Sequence, residues 1–358
     1  MKVLITAPSL DENLNVSGLS TVVRQIIKYR QSEFVHFVAG RQDGDENRLL
    51  WMLSQVVLPI RFLQRIRSSS PDVVHINTAL TVRAVCRDAL LARCSRFAGR
   101  PVVLSIHGGE NLREPFKSSY VENLAGLMLR RTGRVLVLSE DERKFLAERW
   151  PGIGTDVLPN AVPLSDIETR KEINGPPVVV FLGRMHESKG LGEIIKACRI
   201  LRDAGSDFIF RAYGEGPMRE FFANEMTTIL GDSFEYCGVV SSADKWKALA
   251  ATDIFVLPSA FEGLSMALLE AMAAGCVVVA SNISSISAVI NDGENGYLVE
   301  PKSSEHLAGV LARLLTEPNK WRPVTEKAVS TIRNNFSIDE YIERLENVYI
   351  EVVARDKK

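Results

Sequence analysis

Residues 261–275 read FEGLSMALLEAMAAG, and they follow an apolar run over residues 253–259 that is typical of a buried strand. A turn at Gly263 is followed by a helical pattern that ends at Gly275, because glycine is favoured just past a helix. A second apolar run, residues 276–280, begins at once. Strand, loop, helix and strand in this order form the repeating unit of a parallel sheet. The stretch therefore predicts an α/β fold.

The same stretch contains a candidate binding site. Gly263, Leu264 and Ser265 are predicted to lie in the first helical turn, where free backbone N–H groups and the helix dipole favour a phosphate. Glu262 and Glu270 are about 2.2 helical turns apart, so both can border one crevice at the carboxyl end of the strands. Their carboxylates suit the hydroxyls of a sugar or a ribose. The alternative is a helix-terminal charge and a solvent-exposed helix glutamate, and the spacing alone leaves both open.

The Glu-x7-Glu pattern within residues 262–275 resembles the signature of the retaining, nucleotide-sugar-dependent glycosyltransferases of family 4, which have the GT-B fold. The resemblance implies two Rossmann-like α/β domains that face a deep interdomain cleft. Residues 1–163 would form the acceptor-binding domain, and residues 164–336 the nucleotide-sugar-binding domain. A final helix over residues 337–358 would cross back to the first domain.

A second motif follows the apolar run over residues 178–182. It reads GRMHESKG, with Arg184 and Lys189 bounded by Gly183 and Gly190. A guanidinium offers phosphate oxygens a planar fork, and an ammonium offers a mobile point charge. Taken alone, the two residues are compatible with ordinary surface cations. As Gly-Arg-x4-Lys-Gly they resemble the family's diphosphate clamp.

Further candidate residues come from matching positions in the family. Gly18 lies between a predicted strand and helix, where a glycine lets the backbone approach a phosphate; the family usually has a glycine pair, and here Ser17 replaces one member. His107 follows an apolar run and precedes two glycines, at a position that resembles a histidine near the sugar. Val239 and Val240 resemble the backbone positions that contact the nucleotide base.

Length and composition are those of a two-domain protein. The chain has 358 residues, of which 46% are hydrophobic, and no run of 18 apolar residues predicts a membrane-spanning helix. The apolar N-terminal run is broken at Pro8, too early for a signal peptide. Five scattered cysteines form no CxxC pair, which favours reduced thiols and a cytoplasmic location.

Charge is distributed unevenly along the chain. Residues 1–165 contain 22 Lys and Arg against 16 Asp and Glu, whereas the remainder contains 21 against 28. A basic half suggests an anionic partner, although we expect no nucleic acid. Residues 48–67 combine twelve apolar residues with four arginines and no acid. They are interpreted either as a core-facing helix pair divided at Pro59, or as a face that rests on anionic lipid through its arginines, Trp51 and Phe62.

A metal site is not expected. Asp43-Gly44-Asp45 has the DxD spacing that holds a divalent cation in a different glycosyltransferase fold, GT-A, but it lies in a polar stretch typical of a solvated turn. His75 lies inside an apolar run and is interpreted as a core residue. We therefore expect no metal and no cofactor, with the nucleotide sugar acting as a substrate.

The resemblance implies a retaining, metal-independent hexosyltransferase. It would move a sugar from a UDP- or GDP-sugar to a glycan or lipid-linked acceptor, in the biosynthesis of a cell-surface polysaccharide or lipopolysaccharide, in the cytoplasm or peripherally on the inner face of the membrane. The candidate catalytic residues are His107, Arg184, Lys189 and Glu262, and Glu270 would bind the ribose. Two alternatives remain: a nucleotide-sugar epimerase of the same fold, and a non-catalytic nucleotide-sugar-binding subunit.

Overall fold

The structure is a computed structural model that describes residues 1–11, 17–40, 48–108, 110–167, 175–240 and 242–356. The chain divides into two compact units. The first comprises Met1–Asn160 together with Ile338–Lys358, and the second comprises Ala161–Ser337. Over the described residues, each unit contains a six-stranded sheet whose strand pairs are all parallel. The predicted α/β class is confirmed.

The strands of the first sheet have the order β2-β1-β3-β4-β5-β6, and those of the second have the order β12-β11-β10-β7-β8-β9. Their bounds are β1 Lys2–Ala7, β2 Glu33–Val38, β3 Val73–Thr78, β4 Val102–Ile106, β5 Arg134–Val137, β6 Thr155–Val157, β7 Val178–Leu182, β8 Ile209–Tyr213, β9 Phe234–Gly238, β10 Ile254–Leu257, β11 Val277–Ser281 and β12 Tyr297–Val299. The strands β4, β10 and β11 are buried throughout, which fits their predominantly apolar sequences.

Helices connect the strands, and several begin at a side-chain cap. Ser17, Thr81 and Ser139 each accept a hydrogen bond from the backbone N–H three residues later, as N-caps do. The helices are α1 Gly18–Lys28, α2 Arg48–Ser69, α3 Val82–Phe97, α4 Glu110–Arg113, α5 Ser119–Arg130, α6 Glu140–Arg149, α7 Leu191–Asp203, α8 Arg219–Leu230, α9 Ser242–Ala250, α10 Met266–Ala273, α11 Ser284–Ser287, α12 Ser304–Thr316, α13 Trp321–Asn335 and α14 Ile338–Asp356.

The structure of helix α2 differs from the expected division at Pro59 and shows which way Phe62 faces. It continues through Pro59 as a single 22-residue helix rather than a divided pair. Leu58, Phe62 and Ile66 are buried, and the Phe62 ring packs against Phe37 with ring centroids 4.9 Å apart. The expectation that Phe62 faces lipid was wrong, because this side of the helix forms core. Burial of these side chains offsets the loss of the helical hydrogen bond that Pro59 cannot donate, because proline has no backbone N–H.

The C-terminal helix α14 belongs to the first unit. Its fully buried Tyr349 hydroxyl lies 2.6 Å from Nδ1 of His75, and the Oγ of Ser105 lies 2.7 Å from Nε2 of the same ring. Burial lowers the pKa of His75 to about 3, so the imidazole is neutral at physiological pH. His75 is thus a hydrogen-bonded core residue, as its apolar surroundings in the sequence indicated.

Candidate functional site

The loop over residues 183–190, which we call the clamp loop, is held against the loop that follows β10. Gly190 has φ of +73°, and a Cβ atom there would lie 2.1 Å from the carbonyl oxygen of Pro258. The N–H of Ala260 donates to the carbonyl of Ser188 at 2.9 Å. Because only glycine permits this approach, the sequence Lys189-Gly190 places the lysine beside the second loop.

Lys189 and Glu262 form an ion pair at this point. The Nζ atom of Lys189 lies 2.6 Å from Oε1 of Glu262, and the hydroxyl of Ser259 donates to the same oxygen at 2.9 Å. The hydroxyl of Ser285 donates to the Glu262 carbonyl at 2.9 Å. Glu262 is therefore held through both its side chain and its backbone. Arg184, at the start of the clamp loop, is exposed and makes no ion pair with a described side chain.

Helix α10 begins three residues later than predicted. Its first residue is Met266, and Ser265 is the N-cap, whose hydroxyl accepts the N–H of Leu268 at 3.4 Å. Gly263, Leu264 and Ser265 therefore lie in the loop before the helix, which corrects their placement in its first turn. The cap causes the difference, because it holds Ser265 in extended backbone. The positive end of the helix dipole still points toward this loop.

Glu270 is buried inside α10, with 1% of its surface exposed, so it is not a solvent-exposed helix glutamate. Its Oε1 lies 2.5 Å from Nζ of Lys245, which α9 contributes. Only 13% of the Lys245 side chain and 2% of the Glu270 side chain are accessible. Sequence reasoning missed Lys245, because one lysine in a polar helix resembles any surface lysine.

The carboxyl ends of β7, β8 and β9 lie side by side at the same edge of the second sheet. The N–H of Gly214, after β8, donates to the carbonyl of Gly238 at 2.8 Å. A Cβ atom at Gly214 would lie 1.9 Å from the carbonyl oxygen of Gly183. Val239, half of which is exposed, and the half-buried Val240 directly follow β9. Both valines therefore lie at the edge of the sheet that also carries the clamp loop.

Two predicted site residues lie in the first unit. Gly18 is the first residue of α1, and a Cβ atom there would meet no described atom within 4 Å. His107 directly follows β4, and its Nε2 lies 2.8 Å from Oδ1 of Asn77. Because Nδ2 of Asn77 donates to the carbonyl of Thr6 at 2.9 Å, Oδ1 must accept and Nε2 of His107 must carry the proton. No motif in the sequence pointed to Asn77.

We expect His107 to stay neutral from pH 8 down to about pH 5, since burial lowers its pKa to about 4. The unfolded imidazole titrates near 6.5 and binds its proton first, so His107 makes the folded protein less stable as pH falls from about 6.5 toward 4. Nitrogen-15 NMR of the ring reports both the charge and the tautomer. A midpoint near 6.5, or a proton on Nδ1, would contradict the arrangement.

Two negative observations apply only to the described part of the chain. It holds no group of three or more His, Cys, Asp or Glu side chains arranged to bind a metal ion; Asp43 and Asp45 lie outside the described residues. Among the helices that the structure describes, none combines the length and apolar character needed to cross a bilayer.

Comparison with protein families identifies the class. Residues 165–331 match the family model of the glycosyl transferases group 1, and residues 21–161 match that of the glycosyl transferase 4-like domain. The two matches together account for most of the chain. The protein therefore belongs to the group 1 glycosyltransferases. The family resemblance seen in the Glu-x7-Glu pattern is confirmed.

Individual relatives are distant. The chain is 24% identical to alpha-D-kanosaminyltransferase of Streptomyces kanamyceticus over 84% of its own length and 83% of the relative's. It is 31% identical to the amylovoran biosynthesis glycosyltransferase AmsK of Erwinia amylovora, over 48% of its length and 44% of the relative's.

Solved structures share the GT-B fold. Sucrose-phosphate synthase of Thermosynechococcus elongatus has a TM-score of 0.82 at 16% identity, covering 99% of both chains. HepE of Anabaena, solved with UDP-glucose, has a TM-score of 0.79 at 19% identity and covers 98% of this chain and 100% of its own. These likenesses confirm the predicted fold.

Proposed function

We propose that the protein transfers a sugar, with retention of anomeric configuration and without a metal ion, from a nucleotide diphosphate sugar to a glycan or lipid-linked acceptor. The observation that carries the proposal is the ion pair between Lys189 and the buried Glu262, formed where the clamp loop with its exposed Arg184 meets the loop before α10. Cations for a diphosphate and a carboxylate for sugar hydroxyls are thereby gathered at one edge of one sheet.

The proposed reaction requires stabilisation of a leaving group rather than a nucleophile supplied by the enzyme. The bond between the sugar and the diphosphate breaks, and negative charge grows on the departing oxygen. Arg184, Lys189 and the N-terminal end of α10 would stabilise that charge more strongly in the transition state than in the bound donor, which is the condition for faster turnover. Glu262 would hold sugar hydroxyls, Glu270 the ribose, and the backbone at Val239 and Val240 the base.

Gly18 and His107 complete the proposed set from the first unit. Gly18 would let the start of α1 approach the donor phosphates, because no side chain intervenes. His107 would accept a hydrogen bond through Nδ1, since Nε2 already donates to Asn77. His107 would therefore bind a sugar hydroxyl without supplying a proton.

The relatives favour a uridine nucleotide and a glycan product as the first choices to test. HepE was solved with UDP and with UDP-glucose, and AmsK is named for the biosynthesis of amylovoran. A panel of UDP, GDP and ADP in thermal-shift assays tests the nucleotide directly. A ligand present at 100 times its dissociation constant stabilises the folded protein by about 2.7 kcal/mol.

Incubation with a radiolabelled UDP-sugar tests the reaction class. A transferase releases the sugar slowly by hydrolysis without an acceptor, and it forms a product of the same anomeric configuration with one. An epimerase would convert the donor to its epimer without acceptor. A non-catalytic binding subunit would leave the donor intact under both conditions.

Metal independence is a separate prediction. Transfer is expected to persist in EDTA, because cationic side chains would supply the charge that a divalent ion supplies elsewhere. Replacement of Asp43 and Asp45 with alanine should change turnover less than twofold. The measurement compares kcat in EDTA with kcat in added Mn²⁺ or Mg²⁺. If transfer strictly required Mn²⁺ and the double variant lost this Mn²⁺-dependent activity, Asp43 and Asp45 would be metal ligands after all.

The exposed side of α2 suits an anionic membrane surface, where a lipid-linked acceptor would be located. Side chains of three apolar residues and three arginines are exposed along it: Val56, Val57, Ile60, Arg61, Arg65 and Arg67. Each cation near an anionic leaflet contributes about 1 kcal/mol, less at high salt. The protein would thus associate peripherally with the cytoplasmic face of the membrane.

Replacing Arg61, Arg65 and Arg67 with glutamate is expected to abolish cosedimentation with phosphatidylserine vesicles at low salt, while hydrolysis of the donor stays unchanged. The arginines are exposed, so the fold should persist. A matched control reverses three exposed cations of the second unit, Arg202, Lys327 and Arg333. Equal pelleting of the two folded variants would remove the membrane proposal.

A further inference from the structure

We infer that Lys245 is a positioning residue for the nucleotide: it holds one carboxylate oxygen of Glu270 and leaves the other oxygen for the ribose hydroxyls. The inference rests on the proposed function, because it takes Glu270 to face the nucleoside. Its structural basis is the 2.5 Å contact between Nζ of Lys245 and Oε1 of Glu270, with both side chains almost fully enclosed.

The two partners are held by separate elements. Lys245 extends from α9, which Trp246 and Leu249 anchor in the core with 6% and 1% of their surfaces exposed. Glu270 is the fifth residue of α10, and α10 buries its neighbours Leu269 and Ala271 completely. Neither backbone can therefore shift without disturbing the packing, so the direction of the contact is set before any ligand binds.

Over the part of the chain that the structure describes, Lys245 alone donates a hydrogen bond to the Glu270 carboxylate, and it contacts Oε1. A buried carboxylate without a partner of opposite charge is costly, and Lys245 supplies that partner. The contact leaves Oε2 available to accept from a ribose hydroxyl. The arrangement resembles that of Glu262, whose Oε1 receives both Lys189 and Ser259.

Lys245 is expected to act on binding rather than on the chemical step. The diphosphate separates the ribose from the bond that breaks, so a misplaced Glu270 carboxylate should weaken nucleotide binding and leave the catalytic step itself much less affected.

The test compares UDP with 2′,3′-dideoxy-UDP by calorimetry. The wild-type protein is expected to bind UDP at least tenfold more tightly than the dideoxy analogue, since a buried carboxylate left without its hydroxyl partners is costly. Lys245→Met should bring this ratio to within about threefold and raise the donor KM about tenfold, with kcat changed less than threefold. Lys245→Arg should recover most of the ratio. A purely structural lysine would leave the ratio unchanged.

A matched control lies two residues away on the same helix. Lys247 has 64% of its side chain exposed and pairs with Asp244 at the surface, so Lys247→Met should leave both affinities unchanged. Because Lys245→Met leaves a carboxylate buried without its cation, Lys245→Met/Glu270→Gln provides a second variant in which both charges are absent. If Lys245 acts through Glu270, this double variant should bind UDP as Glu270→Gln alone does.

Two results would overturn the inference. One is an unchanged affinity ratio in folded Lys245→Met; the other is an additive loss in the double variant, which would mean that Lys245 acts independently of Glu270. In both cases wild-type binding of UDP keeps the proposed function intact. Failure of the wild-type protein to bind UDP, GDP or ADP would instead reject the donor proposal and the Lys245 inference together.

Discussion

Replacing Lys189 with alanine is expected to lower kcat roughly 100-fold, as the loss of one preorganised charge stabiliser does. The ammonium lies 2.6 Å from Glu262, and 23% of the lysine side chain is accessible to solvent and so to a ligand. Its positive charge would stabilise the departing diphosphate. Arg184→Ala should have an effect of similar size, because its exposed guanidinium occupies the opposite end of the clamp loop.

Single-turnover kinetics with saturating donor measure this loss without a contribution from binding. Lys196→Ala is the control, since Lys196 is an exposed lysine on α7, directly after the clamp loop. Circular dichroism and thermal unfolding should show that Lys189→Ala is folded, because Ser259 still donates to the Glu262 carboxylate. Transfer at near wild-type rates by both Lys189→Ala and Arg184→Ala would reject the clamp.

The sequence predicted the individual motifs better than it predicted their partners. Glu262, Glu270, Arg184 and Lys189 are recognisable because short spacings place each of them near the end of a strand or in the helix that follows. Contacts across elements carry no such signal. That Lys189 pairs with Glu262 depends on how two loops meet, and that Lys245 pairs with Glu270 depends on how two helices pack.

The corrections at the start of α10 and at Phe62 also concern features that short sequence patterns do not determine. The start of α10 at Met266 depends on whether the hydroxyl of Ser265 caps the helix, which the composition of the loop does not decide. Phe62 lies in a segment rich in both arginine and apolar residues. Whether the Phe62 side chain points to core or to solvent depends on which side of α2 meets the sheet. In the structure it packs against Phe37, so it belongs to the core. Periodicity over a segment that contains Pro59 could not separate the two sides of the helix.

Replacing Gly190 with alanine is expected to lower kcat/KM at least 100-fold and to lower the melting temperature. The left-handed φ of +73° costs a residue with a side chain about 1–2 kcal/mol. The new Cβ atom would also lie 2.1 Å from the carbonyl oxygen of Pro258, an overlap that only backbone movement can relieve. Such movement would separate the clamp loop from the loop after β10 and break the 2.9 Å bond between Ala260 and Ser188.

Gly192→Ala separates these causes from a general effect of alanine. Gly192 lies two residues further along, inside α7, and a Cβ atom there would meet nothing within 4 Å. Alanine in this first turn of α7 should leave the protein as stable as the wild type or slightly more stable, and it should leave turnover unchanged. Both variants can be compared by thermal unfolding and by kcat/KM for the donor. If Gly190→Ala behaved like Gly192→Ala, the close contact between the two loops would not be what positions Lys189 beside Glu262.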